Sequence, residues 1–141
     1  LAGYKEALNA HDISFNTDLI LYGDYTKAGA KETVRSMLRD HADVTAIFAI
    51  SDVMAIGAMQ AVRESGGRVP ADVAVIGYDD IESASYVRPA LSTVKQHGEE
   101  MGRSAVRQVL KLIGNPGKTP EKVTLPVELV VRESCGALPG Q

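Results

Sequence analysis

The sequence predicts an α/β domain built on a largely parallel sheet, and three observations carry that reading. Short β-branched runs alternate with helix-length amphipathic segments along most of the chain. The run at residues 45–50 is apolar without interruption, as a strand covered on both faces should be. Gly66 and Pro70 stand where a helix must stop and a new strand begin.

Each element follows from its own pattern. Tyr4, Ala7 and Leu8 share one helical face near the start, before a loop at Asn16, Thr17 and Asp18. Residues 19–22 form an apolar run closed by Gly23, a first strand. Ala30, Val34, Met37 and Leu38 recur at helical spacing and predict a helix over 26–39. The strand at 45–50 leads into a helix over 52–65, with Gly66 as its C-terminal glycine. Strands at 73–78 and 92–96 follow, then a long helix at 99–113 ending in Gly114, Asn115 and Pro116. Residues 123–132 are extended, with Pro126 marking a bulge or an edge.

Two helices carry more apolar surface than one sheet face requires. The first half of 52–65 holds Val53, Met54, Ala55, Ile56, Ala58 and Met59, so it needs a second partner. Deep burial and a subunit interface both satisfy that need. The helix at 99–113 lines up Met101, Ala105, Val109, Leu112 and Ile113, and it too needs a surface to cover.

Composition narrows the function classes. With 45% hydrophobic and 23% charged residues, the 141-residue chain has the make-up of one globular domain with a core of its own. A net charge of -3, with no basic block, argues against this segment gripping nucleic acid by itself. The longest apolar run, residues 53–59, is too short to cross a bilayer, and no secretory signal is visible. Cys135 stands alone, so nothing points to an oxidising compartment, and a cytoplasmic address is expected. The chain opens at Leu1 inside a helical pattern and reads as a fragment.

Polar residues gather where strands end. The first run leads into Gly23, Asp24, Tyr25 and Thr26, the second into Ser51 and Asp52, the third into Asp79 and Asp80. In a parallel sheet these clusters share the carboxyl edge, where open α/β folds bind ligands. Carboxylates there suit the hydroxyls of a sugar or nucleoside, and a tyrosine offers a plate for a ring face. Thr26 and Asp52 read as helix caps, whereas Ser51 suits capping and ligand contact equally. Two adjacent acids after a buried strand repel each other. Asp79 is therefore assigned to a ligand and Asp80 to local structure.

Catalytic signatures are missing. There is no G-x-G-x-x-G, no P-loop and no G-x-S-x-G elbow. His11 and His41 read as residues near helix ends, and His97 lies beside Gln96 at an element junction. None has a second histidine or a cysteine three or four residues away, Cys135 has no CxxC partner, and no nucleophile, base and orienter assemble. The sequence thus predicts no catalytic residue, no metal and no cofactor.

The stretch from Thr45 to Gln96 carries a family likeness. Ala46-Ile47-Phe48-Ala49-Ile50-Ser51-Asp52, Met54-Ala55-Ile56-Gly57-Ala58, Val69-Pro70-Ala71-Asp72-Val73, Gly77-Tyr78-Asp79-Asp80-Ile81 and Pro89-Ala90-Leu91-Ser92-Thr93-Val94-Lys95-Gln96 follow in order. Met101-Gly102 and then Leu125-Pro126-Val127-Glu128-Leu129-Val130-Val131-Arg132-Glu133-Ser134 continue it. In that order and spacing the chain resembles the lactose-repressor/galactose-repressor family of transcriptional regulators.

The resemblance implies a three-layer α/β sandwich, one lobe of a periplasmic-binding-protein-like type I fold. Residues 1–96 would be the C-terminal lobe, and 97–122 a crossover helix belonging to an absent N-terminal lobe. Residues 123–134 would be a returning strand and 135–141 a flexible tail. It also implies a small effector, a sugar or related polyol, bound between the lobes, and operator DNA held only through a missing helix-turn-helix domain. The implied effector residues are Asp79, Ser51, Tyr25 and Gln96. Ser51 replaces a common asparagine, and Gly98 replaces a ring-stacking side chain found in some relatives. An effector-binding arginine would fall just before Leu1. Protomers would pair as a homodimer through Val53, Ile56, Met59 and Val87. The apolar face of helix 99–113 would then be orphaned, to be covered by dimerisation, exchange or docking elsewhere. Two rivals stay open: a periplasmic sugar-binding protein of a transporter, and a metal-dependent phosphoryl-transfer domain using Asp79 and Asp80.

Overall fold

The computed structural model describes residues 1–115 and 117–137. Pro116, in the expected helix end, and residues 138–141 of the expected tail lie outside the described residues. Five α-helices are described, α1 Ala2–Ala10, α2 Lys27–Asp40, α3 Asp52–Glu64, α4 Ser83–Tyr86 and α5 Gly98–Gly114. The strands are β1 Ala46–Phe48, β2 Ala74–Asp79, β3 Ser92–Gln96 and β4 Val127–Val130. They form one sheet in the order β1-β2-β3-β4, parallel except for the antiparallel β4.

The register fixes which side chains share a face. Ile47 pairs with Val75, and Gly77 pairs with Thr93. Because strand side chains alternate, these residues all look toward α3. Val75, Ala55, Met59 and Leu91 are almost wholly buried on that side and form the core with Ala58, Ala61 and Ala84. Burying each of the larger apolar side chains contributes about 1.5–3 kcal/mol. Ala46 and Phe48 point to the opposite face, where Phe48 is 55% exposed.

α3 finds its second partner in α2. Ala30, Val34 and Met37 of α2 are buried, and a side chain on Gly57 would strike the Lys27 backbone carbonyl and Ala30. Lys31 of α2 pairs with Glu64 of α3 at 3.2 Å. The two-sided apolarity of α3 is thus met mainly inside the chain. Met59, expected at a subunit interface, is 1% exposed and belongs to the core, so that expectation is corrected. It lies one helical turn from Ala55 and Val62, on the face turned to the sheet.

Helix ends follow the sequence signals. Thr26 caps α2 by accepting from Gly29 N, and Gly66, at φ +85, closes α3 in the left-handed conformation. His11 and His41 are the C-terminal caps of α1 and α2. Ahead of β2, Asp72 accepts two bonds from the Arg68 guanidinium and one from its backbone N–H. Those bonds hold the Asp72 carboxyl at about 2, below its ordinary 3.8. Since the folded value is the lower one, the contribution of this pair is complete above about 4 and vanishes as pH falls through about 2. Carbonyl NMR of the wild type is expected to give that low midpoint, and Arg68→Ala to return it toward 3.8.

Three expectations need correcting. Residues 19–22 are not a strand. Thr17–Leu19 is a 3-10 turn, and the run after it makes no ladder hydrogen bonds, with Tyr22 86% exposed. Hydrophobicity signals a tendency to be covered but supplies no pairing partner. The strand expected at 45–50 shortens to three residues and sits at the sheet edge, exposed on one face rather than covered on both. Cys135, where the tail was to begin, closes a 3-10 turn at Glu133–Cys135. Its sulfur accepts from the Ser92 hydroxyl, and its neighbour Ser134 is fully buried.

α5 matches its expected span, but it buries none of its residues. Met101, Val106, Val109, Leu110 and Ile113 are 46–70% exposed. Its polar side is satisfied by the returning loop, where Lys111 and Lys118 flank Glu121 and Gln108 donates to the Glu121 carbonyl.

Candidate functional site at the carboxyl edge of the sheet

β1, β2 and β3 run parallel, so their carboxyl ends meet along one edge. The N-termini of α2 and α3 stand at the same edge. Gly23 lies against Met54, and Gly57 against Lys27, which sets the two helices side by side in the same direction.

Tyr25 is 72% exposed and has φ 62. The turn that holds it in this left-handed region is built by Asp24, whose Oδ1 accepts from the Thr26 hydroxyl at 2.7 Å and from Thr26 N at 2.9 Å. The same two bonds keep the Asp24 carboxyl below its ordinary range. Ser51 is the N-cap of α3, its Oγ accepting from Met54 N at 3.3 Å. Its hydroxyl proton remains available to an acceptor.

Asp79 ends β2, and Gln96 ends β3. The Gln96 side-chain amide donates to Asp79 Oδ1 at 2.6 Å, so the sheet brings these two residues into contact. Asp79 and Asp80 both have positive φ, 118 and 58. Such backbone costs an L-residue about 1–3 kcal/mol, and it persists only where its surroundings over-determine it. Asp80 accepts from Arg132 at 2.6 Å in a largely buried ion pair. Asp80 is thus tied to Arg132 and Asp79 to Gln96, both partners within the chain.

Asp52 is the residue that sequence reasoning misread. It was expected to cap α3, yet Ser51 caps the helix and Asp52 is 0% exposed. Its Oδ2 accepts from Ile81 N at 2.8 Å, and its Oδ1 accepts from the Thr93 hydroxyl at 2.5 Å. Thr93 and Arg132 were missed as well. The available signal was Gly77, a glycine inside a buried strand, which marks a close approach by another group. That group is the Asp52 carboxylate.

Beyond Gln96 the edge opens into a crevice of about 420 Å³ whose lining includes Lys95, Gln96, His97, Glu99, Arg103 and Pro126. Among the described residues no group of three metal-ligating side chains converges. The edge is rich in acceptors, fixed donors and one exposed ring. That equipment suits the repeated hydroxyls of a small polar molecule. Val53 is 40% exposed, and the half-buried Ile56 and Val87 pack against the core.

Fold and edge together match one lobe of a periplasmic-binding-protein-like type I fold. The chain belongs to the periplasmic binding protein-like domain family, whose model matches residues 1–135. It is 39% identical over 135 residues to the HTH-type transcriptional regulator MalR of Clostridium butyricum, covering 96% of this chain and 40% of that protein. Its structure superimposes on the transcriptional regulator CelR–cellobiose complex with a TM-score of 0.89 and 40% identity, covering 94% of this chain and 40% of that one. A LacI family transcriptional regulator from Enterococcus faecium with bound ribose matches at TM-score 0.83 and 32% identity, over 96% of this chain and 50% of that one. These relatives are transcriptional regulators rather than transport components. The chain spans about two fifths of the length of the curated relatives it matches.

Proposed function

We propose that this chain is the sugar-sensing lobe of a DNA-binding transcriptional regulator and has no catalytic role. The observation that carries the reading is Asp79, held in a costly backbone conformation at the carboxyl edge and pre-oriented by Gln96. Asp79 accepts hydroxyl hydrogen bonds from the effector, and Gln96 and Ser51 donate to it. Tyr25 covers one face of the ring. The relatives solved with cellobiose and with ribose support a sugar as the effector class.

The segment 97–122 serves a second lobe, and operator DNA is held by a domain outside this chain. Protomers pair as a homodimer through Val53, Ile56 and Val87. The regulator works in the cytoplasm; no described helix is long and apolar enough to cross a membrane.

Titration calorimetry of the full-length protein against a panel of sugars that includes cellobiose and ribose tests the reading. At least one sugar is expected to bind saturably and to shift operator affinity. By linkage the operator must shift sugar affinity by the same factor. Absence of saturable binding across the panel, with operator binding intact, would refute a sugar sensor.

A further inference from the structure

Resting on that reading, we infer that Asp52 is a positioning residue for the sugar site, acting through the turn that carries Asp79. Asp52 touches no solvent and has no place at the rim, yet its two oxygens reach both flanks of the Asp79–Asp80 turn. On one side Oδ1 lies against Gly77, two residues before Asp79, where a side chain would collide with it. On the other side Oδ2 accepts from the backbone N–H of Ile81, two residues after Asp79. The carboxylate therefore spans the two residues with positive φ. It is itself held at the first turn of α3 by the Thr93 hydroxyl.

The energetics favour a positioning role. Two adjacent L-residues at positive φ are both costly, so the turn relaxes unless neighbouring bonds hold it. Gln96 and Arg132 hold the two acid side chains. Among the described residues, only Asp52 gives the Ile81 backbone a side-chain bond. The Ile81 N–H donates to a buried carboxylate oxygen, a charge-assisted bond stronger than one between neutral groups. Relaxing it turns Asp79 away from the rim while leaving the core side chains in place.

The test uses three variants of the full-length protein, with a sugar from the panel that the wild type binds, at a temperature well below each variant's melting point. Asp52→Ser cannot span to Ile81. Asp52→Asn can accept from Ile81 N and donate to Thr93, so it is the conservative rescue. Thr93→Val loosens the helix–sheet contact but keeps the bond to Ile81. Asp52→Ser is expected to speed amide exchange at Ile81 and to weaken sugar binding about tenfold, the loss of one hydrogen bond to a charged group. Asp52→Asn should stay within about threefold of the wild type, and Thr93→Val within about twofold although it melts earlier.

Wild-type affinity in folded Asp52→Ser would overturn the inference, since a purely structural strut changes melting but not the affinity of molecules that remain folded. So would an equal loss in Thr93→Val. If Asp52→Ser does not fold, Asp52→Asn decides by whether exchange and affinity move together: faster Ile81 exchange with unchanged affinity overturns the inference, and affinity that is kept or weakened in step with the Ile81 bond supports it. If the wild type binds no sugar of the panel, the sensor reading itself fails. That result is distinct from a wild type that binds and a variant that binds equally well.

Discussion

Asp79→Ala is expected to weaken sugar binding by about 100-fold while leaving operator affinity in the absence of sugar unchanged. A carboxylate at the rim accepts two hydroxyl hydrogen bonds, each strengthened by its charge, and losing both costs about 3 kcal/mol. Gln96 would lose its partner at the same time, so its amide would no longer be aimed into the site. Asp79→Asn keeps the shape and one acceptor, and should fall between the two. Calorimetry for the sugar and fluorescence anisotropy for operator DNA separate these effects. Sugar affinity within about threefold of wild type in Asp79→Ala would remove this residue from the site, since one lost charged bond alone should exceed that.

Gly77→Ala should produce the largest loss of stability. A methyl group there would overlap Asp52 Oδ1 and approach Leu91 Cδ2 to 3.1 Å and Ala55 Cβ to 3.2 Å. None of these can give way easily. Leu91 and Ala55 are 0% exposed, and Asp52 is buried and tied to two partners. Overpacking combined with a disturbed buried hydrogen bond costs about 3 kcal/mol, which lowers the melting temperature by about 10 °C. Gly102→Ala is the matched control, since nothing lies within 4 Å of a side chain at that helical position. It should be neutral or should stabilise by up to about 1 kcal/mol. Equal melting of the two variants would contradict the close approach at Gly77.

Local periodicity made α2, α3, β2, β3 and α5 legible, because each element's pattern reflects its own repeat. The carboxyl-edge placement of Ser51 and Asp79 followed from strand direction, whereas Gln96 came only from the family likeness. What was not legible depended on partners. The run at residues 19–22 has the hydrophobicity of a strand but finds no neighbour to pair with. The apolarity of residues 45–50 suggested cover on both faces, and only one face has it. Met59 is placed at an interface only by the family likeness, and a helix apolar on two sides does not itself reveal which partner takes which side; α2 takes the second. Asp52 and Thr93 are 41 residues apart in sequence, and no local rule links them. Gly77 was the one visible trace of their meeting.

The neighbouring acids at the end of β2 grip different passes of the chain. Asp79 grips the outgoing pass at Gln96, and Asp80 grips the incoming pass at Arg132, two residues beyond β4. Between those passes lies the arm formed by residues 97–126, and its two roots are neighbours because Gln96 pairs with Val127. The arm is thus rooted in a two-stranded neck, with both strands bonded to one dipeptide. Any load carried by α5 reaches the sheet through this paired neck, beside the Asp79–Asp80 dipeptide.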